Sequence, residues 1–238
     1  MKKIVFSSLF FLFLMIIAQS CSMLCEKGRG EIITETRTVS EFDELDIEGQ
    51  AEVFLMQGLE QSIKISIDSN LMEYVKTDVS GSKLKIYEDK CLEEISEFKI
   101  FIAAKNLSKL TINGSIKLAG DSIFRTNKLI IKSENSGAVN LNLDVEDLDV
   151  DTKGSGLLKI KGRAANFDID MEGAGSIEAF GFPSKNVNVD ITDAGTCEIS
   201  VSENLTGEVS GSGKLFYKGN PKKVNTNNTG TGIIQTKP

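Results

Sequence analysis

Histidine and tryptophan are both absent from the 238 residues of the chain. Without an imidazole there is no Ser-His-Asp or Cys-His arrangement and no histidine-containing metal site. Proline occurs only three times, and no low-complexity linker separates two halves, so one continuous domain is expected. A basic cluster is missing too. The formal net charge of -7 argues against a nucleic-acid partner and against electrostatic docking on anionic lipid. Aromatics are sparse. Phe54, Phe101 and Phe216 fall on the outward phase of their strands, and Phe180 and Phe182 flank Gly181. They form no aromatic row, so packing under loops is a plainer expectation than stacking on sugars. Cysteine is scarce as well. Cys197 occupies an inward position and reads as a small buried hydrophobe. Cys25 lies in a polar tether and Cys91 in a charged loop. An oxidising compartment would let them bridge, but the reading favours leaving them apart, and three cysteines so spaced make no structural zinc site.

What is present is a phrase repeated along the second half. It runs glycine, variable, apolar, polar, apolar: G-S-I-K-L from Gly114, G-A-V-N-L from Gly137, G-L-L-K-I from Gly156 and G-S-I-E-A from Gly175. G-T-C-E-I from Gly195, G-K-L-F-Y from Gly213 and G-I-I-Q-T from Gly232 complete it. Successive glycines stand 23, 19, 19, 20, 18 and 19 residues apart. Upstream of the glycine a second run alternates apolar and polar residues, as in Leu148 with Val150 and Phe167 with Ile169. Period-two alternation is strand geometry, and the unit has no room for a helix. Two short strands cannot bury an apolar face alone, so copies must stack. The expected fold is all-β: a right-handed parallel β-helix, or β-solenoid, with coils of about 19 residues. Ile116, Val139, Leu158, Ile177, Cys197, Leu215 and Ile234 form one inward column, with glycines at a corner that needs positive φ or a sharp bend. A β-sandwich competes, but it has no reason to repeat one phrase in near register. The closing run N-T-N-N-T-G-T-G puts Thr226 and Asn228 at inward positions, a terminal rung fraying into a polar cap that discourages stacking.

The N-terminus opens M-K-K and runs apolar to Ala18-Gln19-Ser20-Cys21. This reads as a lipoprotein-type signal peptide over residues 1–20, with Cys21 lipidated after cleavage. A plain secretory cut and a retained membrane anchor are the alternatives. Residues 21–29 read as a tether and 30–238 as one β-helical domain. The first part of that domain has looser, hairpin-like strands: wider coils, or a small antiparallel section packed on the solenoid. The run 68–79 reads as one helical turn or a loop covering an end.

Several segments then carry a family likeness. They are G-R-G-E-I-I-T-E-T-R-T-V-S-E-F-D-E-L-D-I-E-G, A-E-V-F-L-M-Q-G, the recurring S-G-A-V, G-S-G-L, G-A-G-S and G-S-G-K, and the ending Y-K-G-N-P-K-K-V. Over roughly residues 30–236 the chain resembles the bacterial auto-transporter adhesin, head GIN domain family, typical of Bacteroidetes. The resemblance implies a right-handed β-helix, an extracytoplasmic location and an adhesive role. It brings no catalytic residues to carry over.

One polar feature could bear chemistry. Asp149 and Asp151, then Asp168 and Asp170, then Asn188 and Asp190 stand on outward positions of three successive copies. Stacked at about 4.8 Å, they form a ladder of like charges that solvent screens or a cation bridges. Calcium accepts such oxygen ligands, although the G-G-x-G-x-D phrase of calcium-binding β-rolls is absent. A solvated face that keeps an acidic protein soluble is the plainer reading, and no cofactor is expected. The favoured function is a non-enzymatic envelope lipoprotein that recognises a glycan or protein ligand. It would be held through its lipid at the outer membrane, on the cell surface or the periplasmic face. A polysaccharide-active enzyme using the carboxylates, or a purely structural envelope protein, are the alternatives.

Overall fold

A computed structural model describes residues 25–238. The signal segment, Cys21 and residues 22–24 of the expected tether lie outside the described residues. The early strands are β1 (Glu26–Lys27), β2 (Ile32–Arg37), β3 (Glu44–Gln57) and β4 (Ser62–Asp68), then a 3-10 turn at Met72–Tyr74. Next come β5 (Val75–Ser80), β6 (Lys83–Glu88), β7 (Leu92–Glu93) and β8 (Phe98–Ala104). The coils follow as β9 (Lys109–Asn135), β10 (Ala138–Thr152), β11 (Leu157–Met171), β12 (Ser176–Ile191) and β13 (Thr196–Val209). The last rungs are β14 (Lys214–Lys218), β15 (Lys223–Asn228) and β16 (Ile233–Thr236).

The architecture is the right-handed parallel β-solenoid with coils of about 19 residues that the repeat demands. Parallel pairing runs unbroken from β3 through β9, β10, β11, β12 and β13 to β14 and β16, with β15 also on β13. Because each coil puts the same residue type over its neighbour, interior columns are continuous. One reads Leu118, Val139, Leu158, Ile177, Cys197, Leu215 and Ile234. The member that β9 supplies is therefore Leu118, not Ile116, and the column continues onto Val53 of β3. The Gly114 phrase is displaced: Gly114 pairs with Gly49 and takes a φ of 106°. It thus occupies a different corner from the later glycines, which explains the opening spacing of 23 residues.

Of the two needs expected at the corner, positive φ does not apply to these later glycines, and at Gly137 the demand is close approach. A Cβ there would sit 2.1 Å from the Ile116 carbonyl oxygen of the preceding rung. Beside this corner the buried Asn135 amide accepts from the Ile116 N–H (2.8 Å) and donates to the Ile116 carbonyl (2.9 Å), standing in for a missing backbone rung.

The first section departs from pure stacking. The second half of β3 carries β8 in parallel, then β4 and β2 antiparallel, while its first half carries β6 and β5. So the solenoid continues into this section and an antiparallel cap is built on it. Leu71, Met72 and Val75, around the 3-10 turn, are buried and plug that end. One expectation fails here: Cys25 and Cys91 form a disulfide. The described part of the expected tether, residues 25–29, lies against the cap. Residues 26–27 pair in parallel with β7, the Glu26 N–H donates to the Cys91 carbonyl (2.8 Å), and the Asn70 amide bonds Arg29 and Lys27. Non-local strand pairing is the reason. Once β1 and β7 lie side by side, the two thiols are already neighbours, which spacing along a sequence does not show.

Candidate functional site

The six ladder residues come together as the repeat requires. Asp149 pairs with Asp168 and Asp168 with Asn188, while Asp151 pairs with Asp170 and Asp170 with Asp190. Their inward neighbours Val150, Ile169 and Val189 are buried, so alternation leaves the acids on the outer face. The preceding rung answers part of their charge: Lys128 lies 2.7 Å from Asp149, and Lys132 3.3 Å from Asp151. Asp149 holds the Lys128 ammonium above its ordinary pKa, first through their hydrogen bond and then through charge. Partial burial pushes the Asp170 carboxyl up, and Asp190, Asp151, Asp168 and Glu172 add to the shift. The ladder therefore has a neutralised start and a repelling middle. A shallow hollow of about 400 Å³ lies over it, lined by Ile130, Lys132, the four aspartates of the first two rungs and Asn188. All six residues project from one sheet face, so no pair flanks a cleft as glycosidase acids do. Among the described residues no three His, Cys, Asp or Glu side chains are placed to hold a metal ion.

Alongside runs a second column that the acidic pattern hides. Asn166 donates its side-chain N–H to Asp147 (2.7 Å), Asn186 to Asn166 (2.9 Å) and Asn204 to Asn186 (2.6 Å). The bonds all point one way and end on a carboxylate, which suits an acceptor with no proton to give. Asparagines at positions 166, 186 and 204, spaced as the glycines are, carry this signal in the sequence.

The outward aromatics separate into two kinds. Lys218 covers Phe180 and Lys237 covers Phe216, at 4.6 and 4.1 Å from the ring centres. Phe54 and Phe101 instead stack on each other across β3 and β8, with centroids 4.9 Å apart, and Phe101 stays 39% exposed. Phe182 is fully buried against Phe167.

With coils, glycine corners and framing segments in place, the family model described as "Putative auto-transporter adhesin, head GIN domain" matches residues 41–221. The chain belongs to this family. Solved structures share the fold. A protein from Bacteroides fragilis NCTC 9343, described as a putative adhesin, superposes with a TM-score of 0.82 at 24% identity, covering 89% of this chain and 99% of its own. A protein from Parabacteroides distasonis ATCC 8503, described as a putative lipid binding protein, gives a TM-score of 0.73 at 22% identity, covering 90% and 100%. A putative adhesin from Parabacteroides merdae ATCC 43184 gives 0.67 at 23% identity, covering 89% and 98%. No curated protein matches the chain.

Proposed function

We propose that this member of the head GIN family is a non-enzymatic recognition domain of the cell envelope, displayed outside the cytoplasm and held to the outer membrane through a lipid on Cys21. The observation that carries the reading is the Cys25–Cys91 disulfide. Such bonds belong to exported proteins, and this one fastens the chain four residues after the lipidation candidate, so anchor and domain would be nearly contiguous. Adhesion, the role in the printed descriptions of the family and of two relatives, fits a rigid solenoid whose outer faces repeat one chemistry over successive rungs. The ladder of Asp149, Asp151, Asp168, Asp170, Asn188 and Asp190 is the surface proposed to meet a glycan or protein ligand. Two measurements test this. Cells fed a labelled fatty acid should incorporate it into the wild-type chain and not into Cys21→Ser; label in both would sink the anchor. The mature chain should bind saturably to a component of a glycan and matrix-protein array, and Asp168→Asn with Asp170→Asn should abolish the binding. A folded sample that binds nothing would remove the recognition reading.

A further inference from the structure

The two ends of the solenoid are built differently. At the cap end the interior is closed, and the Arg37 guanidinium ties β2 to β5 by donating to the Val75 carbonyl (2.7 Å) and the Thr77 hydroxyl (3.2 Å). At the other end β15 and β16 have no strand beyond them among the described residues. Val224 stands on the inward side next to Leu205, yet it is 45% exposed where Leu205 is 1% exposed. Thr226 and Asn228 do take the inward positions expected of a polar cap, but β15 and β16 are complete strands rather than a frayed rung. Natural sheet edges are usually blocked by charge, proline or a bulge. Here β16 reads I-I-Q-T without a charge, and β15 carries one lysine.

The ends also match in topology. β2 is antiparallel to β4, β4 is antiparallel to β8, and β8 is parallel to β3. Hence β2 runs in the same direction as the coils, and β2 and β16 are the two terminal edges of one sheet path. The other face ends in β5 at the cap and β15 at the tip. Among the described residues, half of the eight exposed large hydrophobics lie on these edges: Ile32 and Ile33 at one end, Val224 and Ile233 at the other. Charge then selects the pairing. Residues 209–238 hold five lysines and no Asp or Glu, a side-chain net of +5. The segment 25–97, which includes β3 as well as the cap, holds 18 Asp and Glu against 8 Lys and Arg, a net of -10, although β2 and β5 themselves carry one acid and one base each. Tip against tip and cap against cap both repel, and only tip against cap attracts.

We infer that the two ends are complementary docking surfaces, and that copies of this chain associate head to tail, the open β15–β16 end of one on the β2–β5 end of the next. Such a contact is heterologous, so it propagates rather than closing at a dimer. The inference is independent of ligand recognition and of the lipid. If both hold, rows of anchored copies would lie along the membrane. The test is sedimentation velocity on the mature chain from residue 22, which holds every described strand, over a hundredfold concentration range. Mean mass should climb without a plateau at low salt, with at least a tenfold weaker apparent Kd in 0.5 M salt. Glu31→Lys with Asp78→Lys at the cap, or Lys222→Glu with Lys223→Glu at the tip, should each leave monomers. All four residues are exposed, and circular dichroism checks that each variant is folded. The chain carrying both reversals should associate again. A wild type that stays monomeric, one that stops at dimers, or association that survives either single-end reversal would overturn the inference.

Discussion

Two regions of this molecule reach the same parallel stacking by unlike means. From β10 onward each coil pairs only with its neighbours, and one phrase supplies everything: an inward column, a glycine corner and an outward ladder. Residues 25–104 are held by contacts that occur once. The disulfide joins positions 66 residues apart. The buried Asp68 carboxylate accepts from the Ser96 hydroxyl (2.8 Å) and amide (2.9 Å), fixing the loop before β8 to the end of β4. Glu88 folds into the space left by Gly49 and accepts from the Gln50 N–H (3.1 Å). The difference teaches where each region is vulnerable. A repeat loses one interface at a time, whereas the cap loses a hub.

The comparison is broken hardest in the interior of the repeat. Phe167 is 1% exposed and meets Phe182 edge to face, so Phe167→Ala should cost about 3–5 kcal/mol. Hydrogen exchange should quicken in β11 and β12 well before it does in β2 and β4. Uniform acceleration would mean that the solenoid unfolds as one block and that the nearest-neighbour picture is wrong. The matching cut in the cap is Cys25→Ser with Cys91→Ser. Opening that loop should cost about 2–4 kcal/mol, with protection lost first in β1, β7 and the Asn70 contacts. A melting temperature indifferent to reductant would show that the bond adds nothing to the cap.

A third test uses pH and bears on the cap through its partly buried Glu88. Burial pushes the Glu88 carboxyl up to about 7, with the Gln50 N–H pulling the other way. A raised folded pKa means that the native state holds the proton more tightly than the unfolded chain does. The resulting stability is complete below the ordinary carboxylate range and is lost as pH rises through about 7. Since Glu88 is only partly buried, the penalty above that pH is about 1–3 kcal/mol. Glu88→Gln keeps the acceptor and should be the more stable chain at pH 8, with parity near pH 4.5. Denaturant melts of both chains at the two pH values decide it, and parallel curves would remove the buried charge from the account.

Most of the repeat was legible because period and alternation are local. Val139, Leu158, Ile177, Cys197 and Leu215 lie where spacing puts them, and the acidic ladder is in register. What escaped was non-local or one of a kind. The place of Ile116 depended on Gly49, far away in β3. The disulfide needed β1 beside β7, two-residue strands in a charged stretch with no period. The close approach at Gly137 was also hidden, since crowding against the previous rung leaves no trace in a single strand. The asparagine ladder is legible in the spacing of Asn166, Asn186 and Asn204, but an uncharged polar residue on an outward position carries a weaker signal than a carboxylate.

The smallest effect concerns the ladder, and its sign is the informative part. Asp149 has Lys128 at 2.7 Å, so Asp149→Asn removes an attraction and should be neutral to slightly destabilising. Asp170 faces acids on both neighbouring rungs, and its raised carboxyl reports burial first and those charges second. Asp170→Asn keeps the shape and removes the repulsion, so it should stabilise the chain by about 0.5 kcal/mol at pH 7 after allowance for solvent screening. The gain should fade in high salt, which screens the same repulsion, and below pH 3, where the carboxylates are protonated in either chain. Opposite signs at two neighbouring rungs would follow from the arrangement of charges alone. A loss of stability at Asp170 would mean that the carboxylate holds something favourable, and the ladder would then bind a positively charged group rather than merely face solvent.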